Sequence, residues 1–270
     1  MTRHFLAIPA VTFLLISPLS LSFAQTKSDN PQAPPVAAAH PAPPANPLTP
    51  EETARLFLVK KQYKEAQDIF RQLTIEHPKN AVYWNELGIS YHNQADLGPA
   101  LKCYEKSKKL DSHYADPVNN IGTVWYERKK YPKAIRAYNK AISIRGDFAA
   151  FYLNLGYAYF GEKNYEDSIE AFRTALRIDP EAFDPSKSHM GTVIQDRSLN
   201  SERGRFYFLL AKSFAQAGDL ERCLTYLKKA HDEGYAEMNL VKTDPAFAAA
   251  LKDPAIQEIL APKPAETAQP

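Results

Sequence analysis

Cysteine is scarce in this chain of 270 residues, which holds only Cys103 and Cys223. The chain can therefore form at most one internal disulfide, and it has no CxxC pair of the kind that binds zinc. The HExxH, GxSxG and Walker-type patterns, which place metal ligands, nucleophiles or phosphate-binding loops, are missing as well. The sequence thus shows no catalytic site, no metal site and no need for a cofactor.

An excess of one charge sign is also missing. The chain has 33 Lys and Arg against 31 Asp and Glu, a formal net charge of +2, and the two signs alternate along it. Nucleic-acid binding requires clustered positive charge, so no nucleic-acid partner is expected. The short basic runs at 106–109 and 128–130 fall at predicted helix C-termini, where the helix dipole favours cations, and are interpreted as solvated helix ends.

Long hydrophobic runs are missing everywhere except at the N-terminus. Arg3 precedes an apolar run over residues 5–16, Pro18 breaks that run, and small residues precede Gln25. This order of a cation, an apolar core and a cleavage region is typical of a secretory signal peptide. Residues 1–24 are therefore predicted to be a signal peptide.

An uncleaved membrane anchor is the alternative for the same residues. An anchor needs about 20 consecutive apolar residues, and two prolines and a serine interrupt this stretch. No cysteine follows the run, so the sequence does not indicate a lipid-anchored protein. We expect no integral membrane segment once the signal is removed, and we expect the protein in the periplasm or secreted.

Two segments are too rich in proline and alanine to form a core. Residues 25–46 and 261–270 contain few large apolar side chains, so they cannot bury enough surface to offset the entropy of ordering the backbone. They are predicted to be a disordered linker and a disordered tail.

A period of 34 residues is the strongest feature that the sequence does have. Each period contains two runs of apolar residues at helical spacing, which predicts a pair of helices. A small residue in each helix allows the pair to approach closely, and a large ring fills the space beside the contact. Since one pair leaves its apolar face uncovered, stacked neighbours must cover it. The recurring positions are Ala100, Ala134 and Ser168; Tyr104, Tyr138 and Phe172; and Leu87-Gly88, Ile121-Gly122 and Leu155-Gly156.

These residues resemble the tetratricopeptide repeat, whose pattern is W-x2-L-G-x2-Y, then A-x3-F, then P. The resemblance implies an all-α fold, a right-handed helix-hairpin solenoid of about five repeats with a helical cap at its C-terminal end. The cap follows from Asp244-Pro245 and Asp253-Pro254, each of which offers an N-cap and a first helical residue for a short helix. The predicted boundaries are 47–182 for repeats one to four, of which 47–80 is a degenerate copy, 204–237 for repeat five and 238–260 for the cap.

An insertion of about 21 residues, 183–203, separates repeats four and five. It contains a short apolar run over residues 190–194. The sequence leaves open whether it is an ordinary connection or an element that contacts a partner. The two cysteines lie in repeats two and five, and joining them would fold the solenoid on itself, because a disulfide needs Cα atoms within about 7 Å. Both thiols are therefore expected to be free.

The resemblance also implies that the first helix of each repeat lines an inner groove that receives a peptide or loop of a partner. Asparagine amides there are expected to bond the backbone of the partner, and Tyr157, Phe160 and Phe208 to seat its apolar side chains. The alternative is that these aromatic rings only pack against the next repeat. The predicted partner-binding residues are Asn85, Ile89, His92, Asn93, Asp116, Asn119, Asn120, Thr123, Tyr126, Leu153, Asn154, Tyr157, Phe160, Phe208 and Lys212.

Three functions are compatible with this sequence. The first is a non-catalytic scaffold or adaptor of the cell envelope that binds other proteins in its groove. The second is an accessory protein of envelope glycan or peptidoglycan, whose groove aromatics stack on sugar rings. The third is an enzyme with its site in the insertion, which no acid, base or nucleophile pattern supports. The Lys/Asn/Arg set with which some family members clamp a C-terminal carboxylate is absent, so binding of a chaperone tail is not predicted. The sequence does not indicate an oligomeric state.

Overall fold

A computed structural model describes residues 47–184 and 202–261, and over these residues the chain forms helices joined by short turns. Ten α-helices are arranged as five consecutive pairs, and each second helix also packs on the first helix of the next pair. The predicted all-α solenoid of helix hairpins is confirmed. The first helices are α1 (Pro50–Val59), α3 (Ala81–Asn93), α5 (Ala115–Glu127), α7 (Ala149–Gly161) and α9 (Arg203–Gln216). The second helices are α2 (Tyr63–Glu76), α4 (Leu97–Leu110), α6 (Tyr131–Ile144), α8 (Tyr165–Ile178) and α10 (Leu220–Asp232).

The turn within each pair repeats the same backbone conformation. One residue per turn has a positive φ: Lys61 at 59°, Ala95 at 61°, Lys129 at 55°, Lys163 at 64° and Gly218 at 81°. The first four are 34 residues apart, so the sequence period is also a period of backbone geometry. Only the last turn uses glycine, the residue that adopts this conformation without steric cost.

A glycine and a ring make the closest contact of each central pair. A Cβ on Gly88 would lie 2.5 Å from the Tyr104 ring, and Gly156 faces the Phe172 ring in the same way. Ser168 lies in the same contact, where its hydroxyl donates a hydrogen bond to the Gly156 carbonyl oxygen at 2.9 Å. The large and small residues of the sequence period therefore complement each other across the hairpin.

The core of the array is a series of clusters rather than one centre. An N-terminal cluster includes Phe70, Leu87 and Cys103, while Cys223 lies in a large C-terminal cluster rich in aromatic rings. Both cysteines are buried and free. Burial raises the pKa of the Cys103 thiol to about 11 and that of Cys223 to about 12, so both remain protonated at neutral pH.

The segment after α10 covers the C-terminal end of the array. Asp244 and Asp253 are N-caps, and their carboxylates accept hydrogen bonds of 2.9 Å from the backbone N–H groups of Ala246 and Ala255. The first of these motifs begins only a 3-10 turn, whereas the second begins α11 (Pro254–Ile259). The 3-10 turns are Met238–Lys242, Pro245–Phe247 and Ala250–Lys252. Four fully buried side chains anchor the segment on the C-terminal cluster: Val241, Phe247, Ala250 and Ile256.

Several sequence predictions concern other parts of the chain. The signal peptide, the linker, residues 185–201 of the insertion and the tail from residue 262 onward lie outside the described residues. No helix within 47–184 or 202–261 is both long enough and apolar enough to cross a membrane.

Candidate partner-binding face

The first helices of neighbouring pairs contact each other directly from α3 through α5 to α7. Their surface is called the inner face below, and the surface of the second helices is called the outer face. Because solenoids curve, the inner row is the side on which such arrays offer an extended binding surface. All fifteen predicted partner-binding residues belong to these first helices.

Four asparagines of the predicted set form a buried ladder across the first helices. The Asn120 amide donates to Asn85 Oδ1 at 3.0 Å, and the Asn154 amide donates to Asn119 Oδ1 at 2.9 Å. Asn119 and Asn120 are joined at 3.3 Å, and the Asn85 amide donates to the Tyr114 hydroxyl at 3.2 Å. All four side chains are at most 2% exposed. In this conformation the amides therefore join repeats two, three and four to one another, and they do not present groups to the backbone of a partner.

The spacing of these asparagines explains the ladder. Asn85 and Asn119 are 34 residues apart and occupy one position of the repeat, while Asn120 and Asn154 occupy the next position. Each hydrogen bond between helices joins residues 35 apart, so it crosses from one position to its neighbour on the adjacent helix. A buried amide needs such partners, because leaving it without hydrogen bonds costs free energy.

Six further residues of the predicted set are buried by their neighbours. The His92 ring nitrogens lie 3.2 Å from Tyr104 Oη and 2.8 Å from Glu127 Oε1. Thr123 Oγ1 accepts a hydrogen bond of 3.3 Å from the Tyr138 hydroxyl. The other four are Tyr126, Leu153, Phe160 and Phe208. Their contacts make them part of the packing between helices.

The aromatic side chains predicted to seat a partner face the C-terminal cluster instead. Phe160 packs against Phe206 in an edge-to-face arrangement with ring centroids 5.4 Å apart, and Phe208 packs against Phe247 of the cap at 5.5 Å. Tyr157 is half-buried, and its ring stacks on Phe206 at 5.4 Å. The packing alternative stated for these rings thus describes their arrangement here, and it leaves little ring surface for stacking on sugars.

Five residues of the predicted set keep some exposure. Asn93 is exposed, and its amide donates to the Ile89 carbonyl oxygen at 2.9 Å. Ile89 and Tyr157 are half-buried. Asp116 and Lys212 are also half-buried, and each is held in an ion pair, with Arg145 at 2.6 Å and with Asp244 at 2.9 Å respectively.

A row of charges lies along the inner face, and of its members only Asp116 was predicted from the sequence. Arg55 lies 3.1 Å from Glu51 and 3.6 Å from Glu86, and Arg145 reaches Asp116 from the loop between α6 and α7. The side chain of Glu86 is only 14% exposed. The residues are too far apart in sequence to form a motif, so only the helix packing shows that they line one surface.

The carboxylates of this row are incompletely stabilised in their charged form. Burial raises the pKa of Glu86, and the nearby carboxylates of Asp116 and Glu51 add to that rise while Arg55 opposes it. Burial also raises the pKa of Asp116, although the Arg145 guanidinium opposes the shift. Arg145 lies over the Phe148 ring at 4.2 Å, and its buried Nε has no hydrogen-bond partner within residues 47–184 and 202–261. The row therefore offers polar groups that an additional donor or acceptor could satisfy.

The described part of the chain contains no group of three or more His, Cys, Asp or Glu side chains that could hold a metal ion. One cavity of about 440 Å³ lies away from the inner face, between the end of α8 and the turn from α9 to α10. Its lining combines apolar residues, among them Leu176 and Phe214, with Asp219 and Arg222. Arg222 donates hydrogen bonds to Asp219 and to the Pro180 carbonyl oxygen, so these two charged side chains of the lining are paired with each other.

Three family models match the central repeats. Two models described as tetratricopeptide repeat match residues 81–114 and 149–181, and one described as TPR repeat matches residues 122–163. A search of curated protein sequences finds no match.

Similar folds occur among solved structures. MamA from Desulfovibrio magneticus RS-1 is 18% identical, with 72% of this chain and 96% of that chain covered at a TM-score of 0.47. TTC0263, a thermophilic TPR protein of Thermus thermophilus, is 14% identical, with coverages of 76% and 98% and a TM-score of 0.49. The first TPR of Spaghetti (RPAP3), bound to an HSP90 peptide, is 23% identical over 38% of this chain and 85% of that chain, with a TM-score of 0.37. At these identities and scores, none of the three transfers a function to this chain.

Proposed function

The chain is a tetratricopeptide-repeat protein, and we propose that it is a non-catalytic scaffold that holds a peptide or loop of another protein against its inner face. The observation that carries this proposal is the row of charges at Arg55, Glu86, Asp116 and Arg145, of which the last three are half-buried. Half-buried charged groups lower stability unless they are fully paired. Because these groups lie along one continuous surface, their arrangement favours a partner that supplies the pairing they lack.

The rigidity of the inner face supports the same proposal. The asparagine ladder fixes the first helices of three repeats relative to one another. A surface that is ordered before binding loses less conformational entropy when a partner binds. The partner would therefore contact the exposed and half-buried positions, such as Ile89, Asn93 and Asp116, while the ladder beneath them keeps their spacing.

The proposed scaffold acts outside the cytoplasm, in the periplasm or after secretion. The support comes from the cation, apolar run and small-residue cleavage region of residues 1–24. Intact mass and N-terminal sequencing of the protein from fractionated cells test this proposal. A mature chain that begins at Gln25 in the periplasmic or secreted fraction is expected. A chain retained in the membrane fraction with residues 1–24 still attached would instead identify an anchor.

Photocrosslinking tests the binding face. A benzophenone side chain placed at the exposed Asn93 is expected to crosslink a protein partner in cells, whereas the same group at Gln72, exposed on α2, is not. The double variant Glu86→Gln/Asp116→Asn, which keeps side-chain shape, is expected to weaken binding of the captured partner at least tenfold, which is about 1.4 kcal/mol. Equal crosslinking from both positions, or unchanged affinity in the double variant, would contradict the proposal.

A further inference from the structure

The chain is nearly neutral as a whole, but its charge is unevenly distributed along the sequence. Residues 97–145, from the start of α4 to the residue after α6, carry eleven Lys or Arg against four Asp or Glu. Residues 146–184 carry three against eight. One outer-face position of the repeat shows the change directly, since Asp68, Lys102, Arg136 and Glu170 are each 34 residues apart. At this position, repeats two and three carry a cation where repeats one and four carry an acidic residue.

Nine exposed cations, called the basic outer patch, account for this imbalance. None of the nine has an ion-pair partner among the residues that the structure describes. In the flanking pairs, by contrast, Asp68 is bound by Lys64 at 2.9 Å and Glu170 is bound by Arg173. The patch comprises Lys102, Lys106, Lys109, Arg128, Lys129, Lys130, Lys133, Arg136 and Lys140.

The four acidic residues within residues 97–145 have partners outside the patch. Glu105 pairs with Lys108, which is not part of the patch, and Asp111 accepts a hydrogen bond from the His113 N–H at 2.8 Å. Asp116 and Glu127 pair with Arg145 and His92, toward the inner face. The acidic residues within residues 97–145 therefore form no ion pair with the patch.

The patch is continuous between its two helices. Leu101 of α4 and Ala137 of α6 pack on one apolar cluster together with Trp125 of α5. Lys133 lies 4.6 Å and Arg128 lies 5.4 Å from the centre of the Trp125 ring. Trp84, the second of the two tryptophans in the chain, has Lys106 above its ring at 5.9 Å. Both half-buried tryptophans thus lie directly beneath cations of the patch.

These features fit a surface of negative charge better than one specific anion. Seven of the nine cations are lysines, which act as point charges and lack the planar fork with which arginine binds a single carboxylate or phosphate. Anionic lipid headgroups attract each such cation by about 1 kcal/mol, and tryptophan is favoured at the headgroup level. We propose that the basic outer patch binds the anionic headgroup surface of a lipid bilayer, with the inner face left free for a partner. This inference does not depend on the proposed scaffold function.

Vesicle binding by the full chain tests the proposal. The variant Lys102→Gln/Arg136→Gln/Lys140→Gln removes three charges of the patch, and Lys228→Gln/Lys242→Gln/Lys252→Gln removes three exposed charges elsewhere. Partition onto phosphatidylglycerol-containing vesicles is measured by co-sedimentation and by tryptophan emission. The patch variant is expected to bind roughly a hundredfold more weakly than the wild type, at about 1 kcal/mol per lost cation. The control variant is expected to bind nearly as well as the wild type, and added salt is expected to release both.

Four results would overturn the proposal. Equal binding to pure phosphatidylcholine vesicles would assign the affinity to apolar insertion, for example of the N-terminal run. Equal losses in both triple variants would assign it to net charge alone. Tighter, patch-dependent binding to polyglutamate than to vesicles would assign the patch to acidic polypeptides, and tighter binding to an oligonucleotide would assign it to nucleic acid. Far-ultraviolet circular dichroism of both variants, expected to match the wild type, shows that the fold is kept.

Discussion

At the scale of single residues, the buried asparagines differ most from what the sequence predicted. Their 34-residue spacing is visible in the sequence, and their position on the first helices was predicted from the repeat pattern. The direction in which an amide points depends on the neighbouring helix. In repeat four, the position of Asn85 and Asn119 is occupied by Leu153. The residue type at these positions therefore predicted a polar surface, whereas helix packing buries the asparagines in a hydrogen-bonded network.

We expect Asn120→Ala to lower the free energy of unfolding by about 2–3 kcal/mol. The substitution leaves the Asn85 carbonyl oxygen and the Asn119 amide without the hydrogen bonds that Asn120 supplies, and buried polar groups without partners cost about 1–3 kcal/mol each. Chemical denaturation measures the change. The exposed Asn139 of α6 is the matched control, and Asn139→Ala should stay within about 0.5 kcal/mol of the wild type. Equal effects at the two positions would show that the ladder is not a stabilising network.

Glu86→Gln is expected to raise stability at neutral pH. Because the folded state raises the pKa of Glu86 above its ordinary value of 4.5, the unfolded chain releases that proton first as the pH rises. The contribution of Glu86 to stability is therefore fully present below pH 4.5 and is lost as the pH rises through the raised pKa. Denaturation curves at pH 4 and pH 7 measure the difference.

The exposed Glu105 of α4 supplies the control for this pH dependence. Glu105→Gln removes an exposed carboxylate and is measured at the same two pH values for comparison. If Glu86→Gln gives the same gain at pH 4 and pH 7, then burial of the Glu86 charge is not what lowers stability on the inner face.

At the scale of helices and turns, the sequence predicted most of the architecture. Glycine opposite a ring, small residues at the hairpin contact and Asp-Pro at helix starts are local signals, and local signals can be read without knowing the fold. The lengths of the elements were harder to predict. Asp244-Pro245 has the same N-cap as Asp253-Pro254, yet it begins a three-residue 3-10 turn, whose last residue, Phe247, is buried in the C-terminal cluster.

The hairpin contact predicts opposite effects for two glycines. A Cβ at Gly122 would lie 2.5 Å from the Tyr138 ring, whereas a Cβ at Gly98 would have no atom within 4 Å. We expect Gly122→Ala to cost about 1–3 kcal/mol through overpacking. We expect Gly98→Ala to add about 0.5–1 kcal/mol, because alanine favours helix over glycine. Thermal and chemical unfolding of both variants measure these changes. A stabilising Gly122→Ala would show that the helices of the pair are not in close contact.

The turns predict a second pair of opposite effects. Ala95 has a φ of 61°, and a residue with a side chain pays about 1 kcal/mol for this left-handed conformation. Ala95→Gly is therefore expected to stabilise the protein by up to about 1 kcal/mol, and Gly218→Ala in the equivalent turn, where φ is 81°, to destabilise it by a similar amount. The net effect at position 95 is smaller if glycine loses more entropy on folding. If Gly218→Ala is neutral, the left-handed turn is not a fixed feature of the array.

At the scale of the whole molecule, two surfaces of the array have different roles in this account. The inner face combines a fixed ladder with half-buried charges, and the outer face of repeats two and three carries cations for which the described residues supply no ion-pair partner. Sequence reasoning interpreted only the runs at 106–109 and 128–130, and it interpreted them as solvated helix ends because it compared each run with its own helix. Only the stacking of α4 and α6 around Trp125 brings the separate runs into one surface. Contacts between repeats are the feature of such a protein that is hardest to predict from a single sequence.

Hydrogen–deuterium exchange of the protein with and without the partner captured at Asn93 tests the central claim most directly. A partner bound along the inner face is expected to protect backbone amides of the first helices α3, α5 and α7, so that protection recurs every 34 residues. The second helices α4, α6 and α8 are expected to exchange as in the free protein. Protection confined to the second helices, or to the segment between α8 and α9, would contradict a binding face formed by the first helices.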